Sequence, residues 1–124
     1  MRKNRGTEGR IDLETASRIL RTVSTQESFL FFTGINQYTG EFAQNLEDFY
    51  SELSNVPLES LDFHFERGDF EKWIREMLGD AYLADRINRV EKSIKGEKLR
   101  RRLKGMVKRR LNQLKNTREK SLKS

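Results

Sequence analysis

Charge is partitioned along this chain so sharply that the average of +6 over 124 residues describes no part of it. Residues 1–10 carry four basic and one acidic side chain (+3), residues 11–80 five basic and fourteen acidic (−9), and residues 81–124 sixteen basic and four acidic (+12). Between Lys92 and Arg110 ten basic residues stand against one acid, Glu97. Such a block repels itself, so it must be solvated, neutralised by a polyanion or docked on an acidic surface. The aromatics follow the same division. All twelve lie between Phe29 and Tyr82, and none in the strongly basic stretch beyond.

These two asymmetries predict three parts: a disordered basic arm over residues 1–10, an acidic, aromatic-rich helical body over 11–95, and a basic amphipathic helix and tail over 96–124. Cysteine is absent, which excludes disulfides and thiolate metal sites. No run of eighteen apolar residues offers a membrane span, and the basic N-terminus leads into no apolar stretch, so a cytoplasmic protein is expected.

Helix punctuation is frequent. Asp12 stands before Leu13, Ala16, Ile19, Leu20 and Val23 at helical spacing, and Asn45 before Leu46, Phe49, Tyr50 and Leu53. Pro57 suits the first turn of a helix bearing Leu58, Leu61 and Phe65, which Gly68 would stop. Asp69 would cap the next, carrying Phe70, Trp73, Ile74, Met77 and Leu78, and Gly79-Asp80 would end it and open another with Leu83, Ala84, Ile87, Val90 and Ile94. Gly96 breaks that pattern before a basic helix from about Glu97 to about Thr117. The expected fold is all-α: mostly short helices with a long basic C-terminal one. Residues 28–40 are the reservation, because Phe29–Phe32 is too short to classify and Thr33-Gly34 and Thr39-Gly40 read as two turns, leaving a short strand or hairpin open there.

Two stretches carry a resemblance. Phe31-Phe32-Thr33-Gly34-Ile35 with Tyr38-Thr39-Gly40, and Phe63-His64-Phe65-Glu66-Arg67-Gly68-Asp69-Phe70-Glu71-Lys72-Trp73-Ile74 with Leu78-Gly79-Asp80, resemble a small family of uncharacterised archaeal and bacterial proteins over roughly residues 12–95. That resemblance transfers no catalytic signature. In layout, a small size with a basic extension, the chain also resembles archaeal ribosome-associated factors, including those that pair or silence small subunits in ribosome hibernation.

On the basic helix Leu99, Leu103, Met106, Val107, Leu111 and Leu114 form one apolar stripe. Lys92, Lys95, Lys98, Arg100, Arg101, Arg102, Lys104, Lys108, Arg109 and Arg110 are the candidate nucleic-acid-binding residues, with Gly105 offering a place to bend. The bland alternative is a solvated helix lying on its own acidic body. Interfacial membrane helices add Trp or Phe to the apolar face and single-strand binders add stacking aromatics. This segment has neither, so phosphate and shape reading of structured RNA is expected, without sequence readout.

His64, the lone histidine, is read as structural, bonding or capping a helix end, rather than as a general base beside Asp62, Glu66 or Asp69. Arg67-Gly68-Asp69 is read as a helix stop and a cap. The pairs Glu47-Asp48, Glu59/Asp62 and Glu66/Asp69 are read as solvated faces, and neither a phosphate loop, a hydrolase elbow nor a dinucleotide fingerprint occurs. The cluster Phe29, Phe31, Phe32, Phe63, Phe65, Phe70 and Trp73 is large for a small body, which leaves a homodimer seam open.

Together these readings lead to a non-enzymatic binder of structured RNA without metal or cofactor. The expected setting is ribosomal RNA, where the protein would modulate translation by binding or bridging subunits while its acidic body meets basic ribosomal proteins. The alternative is a protein–protein module whose basic helix docks on an acidic partner.

Overall fold

The computed structural model describes residues 11–123, with side chains to residue 120; the expected basic arm over 1–10 lies outside the described residues. Six α-helices, a short 3-10 turn at Thr25–Glu27 and one two-stranded antiparallel hairpin occur among these residues, so the fold is mostly helical but mixed rather than all-α. The helices are α1 (Leu13–Leu20), α2 (Leu46–Asn55), α3 (Leu58–Arg67), α4 (Asp69–Trp73), α5 (Ala81–Asn88) and α6 (Gly96–Lys123). A π-helical turn, Ile74–Leu78, continues α4.

Most expected caps are present. Asp12 accepts from the Thr15 N–H at 2.8 Å, Asn45 from Asp48 at 2.7 Å and Asp80 from Leu83 at 3.2 Å, each satisfying a first-turn donor that the helix itself leaves unpaired. Asp69 departs from expectation. Gly68, in the left-handed region at φ 78°, joins α3 directly to α4, and Asp69 is the first residue of α4 with its carboxylate turned to other partners.

β1 (Phe29–Phe32) and β2 (Tyr38–Ala43) pair with Leu30 opposite Phe42 and Phe32 opposite Tyr38, interrupted by an irregularity between Leu30 and Phe32. A single loop, Thr33 to Gln37, closes the hairpin, with Asn36 at φ 61°. Thr39-Gly40 is therefore no second turn. Thr39 lies within β2 and donates its hydroxyl to the Phe31 carbonyl at 2.7 Å.

The major correction concerns the basic helix. Leu99, Leu103, Val107 and Leu114 are fully buried and Met106 and Leu111 nearly so, and they belong to one core continuous with Ile19, Phe49, Leu61 and Ile87. α6 packs against α1, α2, α3 and α5. The apolar body does not end near Ile94; its core runs through Leu114, and α6 is the spine on which the shorter helices lean. The aromatic cluster is buried elsewhere, ring on ring among the hairpin, α2 and α4. Phe29, Phe31, Phe65, Phe70 and Trp73 are buried within one chain, leaving only Phe32 and Phe63 half-exposed, so their number does not demand a second copy. Gly105 does not interrupt α6, which at ~1.5 Å rise per residue is roughly 42 Å long.

Candidate nucleic-acid interface

The ten basic residues marked by the sequence separate into two groups once α6 is seated. Several are occupied at its contact with the body. Arg100 donates to the carbonyls of Ser54 (3.1 Å) and Val56 (2.9 Å), closing the C-terminal end of α2. Lys92 donates to the Phe65 carbonyl at 2.7 Å in the last turn of α3 and lies 4.1 Å from the Phe65 ring centroid. Lys95 pairs with Glu66 at 3.7 Å. Arg110, only 6% exposed, grips both carboxylate oxygens of Asp80, Nε at 2.8 Å and Nη2 at 2.9 Å. Lys104 and Lys108 reach over the Tyr50 ring at 5.9 and 5.3 Å.

The acids at these contacts are anchors rather than idle surface. Asp62 accepts the Gly96 N–H at 2.9 Å where α6 begins, and Glu47 pairs with Lys115 at 2.8 Å near its far end. The +12 segment is thus partly neutralised by the −9 segment, through a small number of specific contacts.

The second group stays outside. Lys98, Arg101, Arg102 and Arg109 are exposed and have no hydrogen-bond or ion-pair partner among the described residues. Their spacing puts them along one stripe of α6, with Gly105 between Arg102 and Arg109 leaving its middle without a side chain. Two arginines that the sequence reading did not select join them. Arg86 and Arg89, from the end of α5 and the turn after it, line a cleft of about 340 Å³ together with Arg102, Arg109, Val90 and Met106. No carboxylate lines that cleft. The i, i+3 spacing of Arg86 and Arg89 was visible in the sequence; what was missing was the knowledge that α5 packs beside α6.

Four guanidiniums around one depression without a counter-charge repel one another, and binding an anion relieves that repulsion. Arginine suits phosphate because its planar fork offers paired donors. Cleft and stripe share Arg102 and Arg109, so the cationic surface runs from the exposed side of α6 into the groove beside α5.

A second concavity of about 480 Å³ lies on another side, between the hairpin and α3–α4, walled by Phe29, Phe32, Phe63, Trp73 and Met77. His64 sits at its base and is 4% exposed. Its Nε2 accepts the Phe32 N–H at 2.8 Å, which requires the proton on Nδ1, and Nδ1–H donates to Asp69 at 2.8 Å. Burial lowers the His64 pKa, partly opposed by the Asp69 carboxylate. Both ring nitrogens are committed to holding β1 against α3 and α4, a structural task in keeping with the sequence reading. Beside this concavity the outer face of the hairpin exposes Leu30, Ile35, Tyr38 and Phe42.

No helix among the described residues is long and apolar enough to cross a membrane. No curated protein and no solved structure matches the chain. A family model does match over residues 26–123, a span that takes in the whole basic helix as well as the hairpin and the α3–α4 stretch. The chain belongs to the DUF5752 family, a family of unknown function.

Proposed function

We propose that this protein is a non-enzymatic binder of structured RNA, reading phosphates through Lys98, Arg101, Arg102 and Arg109 of α6 with Arg86 and Arg89 beside them. The observation that carries this reading is the carboxylate-free cleft lined by four arginines next to an unpartnered basic stripe. α6 is seated on a core, so the backbone positions that carry these cations are fixed relative to one another. A duplex or folded RNA, with its regular phosphates, offers a matching line of charge. The exposed stripe carries no aromatic side chain for stacking on single strands. Ribosomal RNA is the most abundant RNA of this kind, and subunit binding or bridging that modulates translation is the setting in which we place the activity.

The reading predicts co-purification with nucleic acid, seen as a raised 260/280 nm absorbance ratio that falls when the protein is washed at high salt. Co-sedimentation with purified ribosomal subunits at moderate salt tests the setting, and its absence would remove the ribosome while leaving RNA in general.

The second reading is a protein–protein module. Its version in which the basic helix docks on an acidic surface is partly met within the chain, through Arg110–Asp80, Lys115–Glu47 and Lys95–Glu66. The exposed apolar face of Leu30, Ile35, Tyr38 and Phe42, which shares no residue with the arginine cleft, keeps a protein contact in view. Retention of an acidic polypeptide with no retention of RNA would favour this reading.

A further inference from the structure

The arginine cleft does not end at Arg109. A second depression of about 450 Å³ shares Arg86, Met106 and Arg109 with it and continues along the groove between α5 and α6. Its walls change character: beyond the shared Arg86 and Arg109, Arg89 and Arg102 give way to Tyr82, Arg110, Asn112, Gln113 and Asn116, and again no carboxylate is present. One groove therefore has a cationic end and an amide-and-aromatic end.

The polar groups of the second end are unspent. Asn112 and Asn116, one turn apart on α6, are exposed and make no hydrogen bond among the described residues. Gln113 uses only its Oε1, which accepts from Arg110 Nη1 at 2.8 Å, and its amide N–H donors remain. The Tyr82 ring is backed by the Arg110 guanidinium, 4.6 Å from its centroid, and Arg110 is itself fixed by Asp80. Arg86 approaches the same ring at 5.9 Å. Flat guanidinium and phenol surfaces, rigidly held, are what a nucleobase stacks upon, and a carboxamide presents the adjacent donor and acceptor that match the edge of adenine.

We infer that the groove between α5 and α6 takes a nucleotide: phosphate among Arg86, Arg89, Arg102 and Arg109, base against Tyr82 with Asn112 and Asn116 at its edge. The inference rests on the RNA reading above and deepens it. In a structured RNA the occupant is an unpaired, extruded adenosine, since bases inside an A-form stack do not expose their edges to such a groove. Phosphate contacts along α6 supply most of the affinity; the groove adds preference for a bulge over a plain duplex.

The test is fluorescence anisotropy at physiological salt, using a labelled RNA hairpin with one bulged adenosine, the same hairpin fully paired, and AMP as a separate titrant. Each is measured with the wild-type chain and with the Asn112→Ala/Asn116→Ala double variant, whose replaced side chains are exposed and unbonded, so its melting curve should match wild type. The expected result is a preference for the bulged hairpin of about tenfold, lost in the double variant while the paired hairpin binds as before. Saturable AMP binding that the double variant loses, without a bulge preference, also supports the pocket and assigns it to free nucleotides. Equal affinity for both hairpins with no AMP binding overturns the nucleotide pocket and leaves the phosphate reading standing. No binding of either hairpin or of AMP overturns both.

Discussion

Arg110 and Asp80 form a buried bidentate ion pair across α6 and the start of α5, with Nε–Oδ2 at 2.8 Å, Nη2–Oδ1 at 2.9 Å and both side chains at most 6% exposed. Asp80 also caps α5, and Arg110 also backs Tyr82. One pair thus ties the long helix to the element that carries Arg86 and completes the groove between them. Removing one partner leaves an uncompensated buried charge, at a cost of about 3–5 kcal/mol. Arg110→Ala and Asp80→Ala should each lower the urea midpoint accordingly. A shift of less than about 1 kcal/mol would show that the pair is not sealed from water.

Truncation after Lys95 should abolish folding. The cut removes Leu99, Leu103, Val107, Leu111 and Leu114 from the core. Each fully buried aliphatic side chain contributes roughly 1.5–3 kcal/mol, so the loss matches or exceeds the ~5–15 kcal/mol that holds a domain together. Circular dichroism should show no cooperative thermal transition, and a sharp one in the truncated chain would restore the idea of a separable tail.

His64 gives stability a defined pH dependence. Its folded pKa is lowered, chiefly by burial, so as pH falls below the ordinary value of about 6.5 the unfolded chain takes up a proton before the folded one. Stability should be full above that value and decline through the window between it and the lowered folded value. Once protonated, Nε2 carries a hydrogen that opposes the Phe32 N–H. Denaturant midpoints from pH 7.5 to 5 should fall in the wild type. The histidine-dependent part should vanish in His64→Gln; an identical slope in both would assign the decline to carboxylates.

Gly105→Ala should stabilise the protein by about 1 kcal/mol, because glycine is poorly suited to a helix interior. A Cβ there would meet only Arg109 Nη1, at 3.8 Å, an ordinary contact. A gain in melting temperature with unchanged RNA affinity is expected; a loss of stability would mean that the position needs glycine for close approach.

Local signals in this sequence were legible where local physics decides the outcome. Asp12, Asn45 and Asp80 announce helix starts because a short polar side chain before an apolar run has a first-turn donor to satisfy. Gly68 and Gly79 announce stops because they sit at φ 78° and 80°. The hairpin was legible only in part: Phe29–Phe32 is four residues long, and Thr39-Gly40 reads as a turn although cross-strand pairing overrides it. Neither the role of α6 nor the division of its cations could be read. The stripe from Leu99 to Leu114 is visible, but whether it meets solvent, a partner or its own body depends on where α1, α2, α3 and α5 lie. The same tertiary information turns Arg110 from a candidate phosphate ligand into a buried strut. It also brings Arg86 and Arg89 into a site to which sequence proximity did not assign them.

The central claim, that the outer face of α6 with Arg86 and Arg89 grips RNA phosphates, is tested most directly by the salt dependence of binding to a folded RNA hairpin. With about six phosphates neutralised, log K against log salt should fall with a slope of roughly −4 to −6. Replacing Arg102 and Arg109 by Gln should make that slope shallower by about 1–2, while replacing the buried or capping Arg100 should alter stability rather than the slope. A flat salt dependence, or no binding at low salt by a folded wild-type chain, would contradict it.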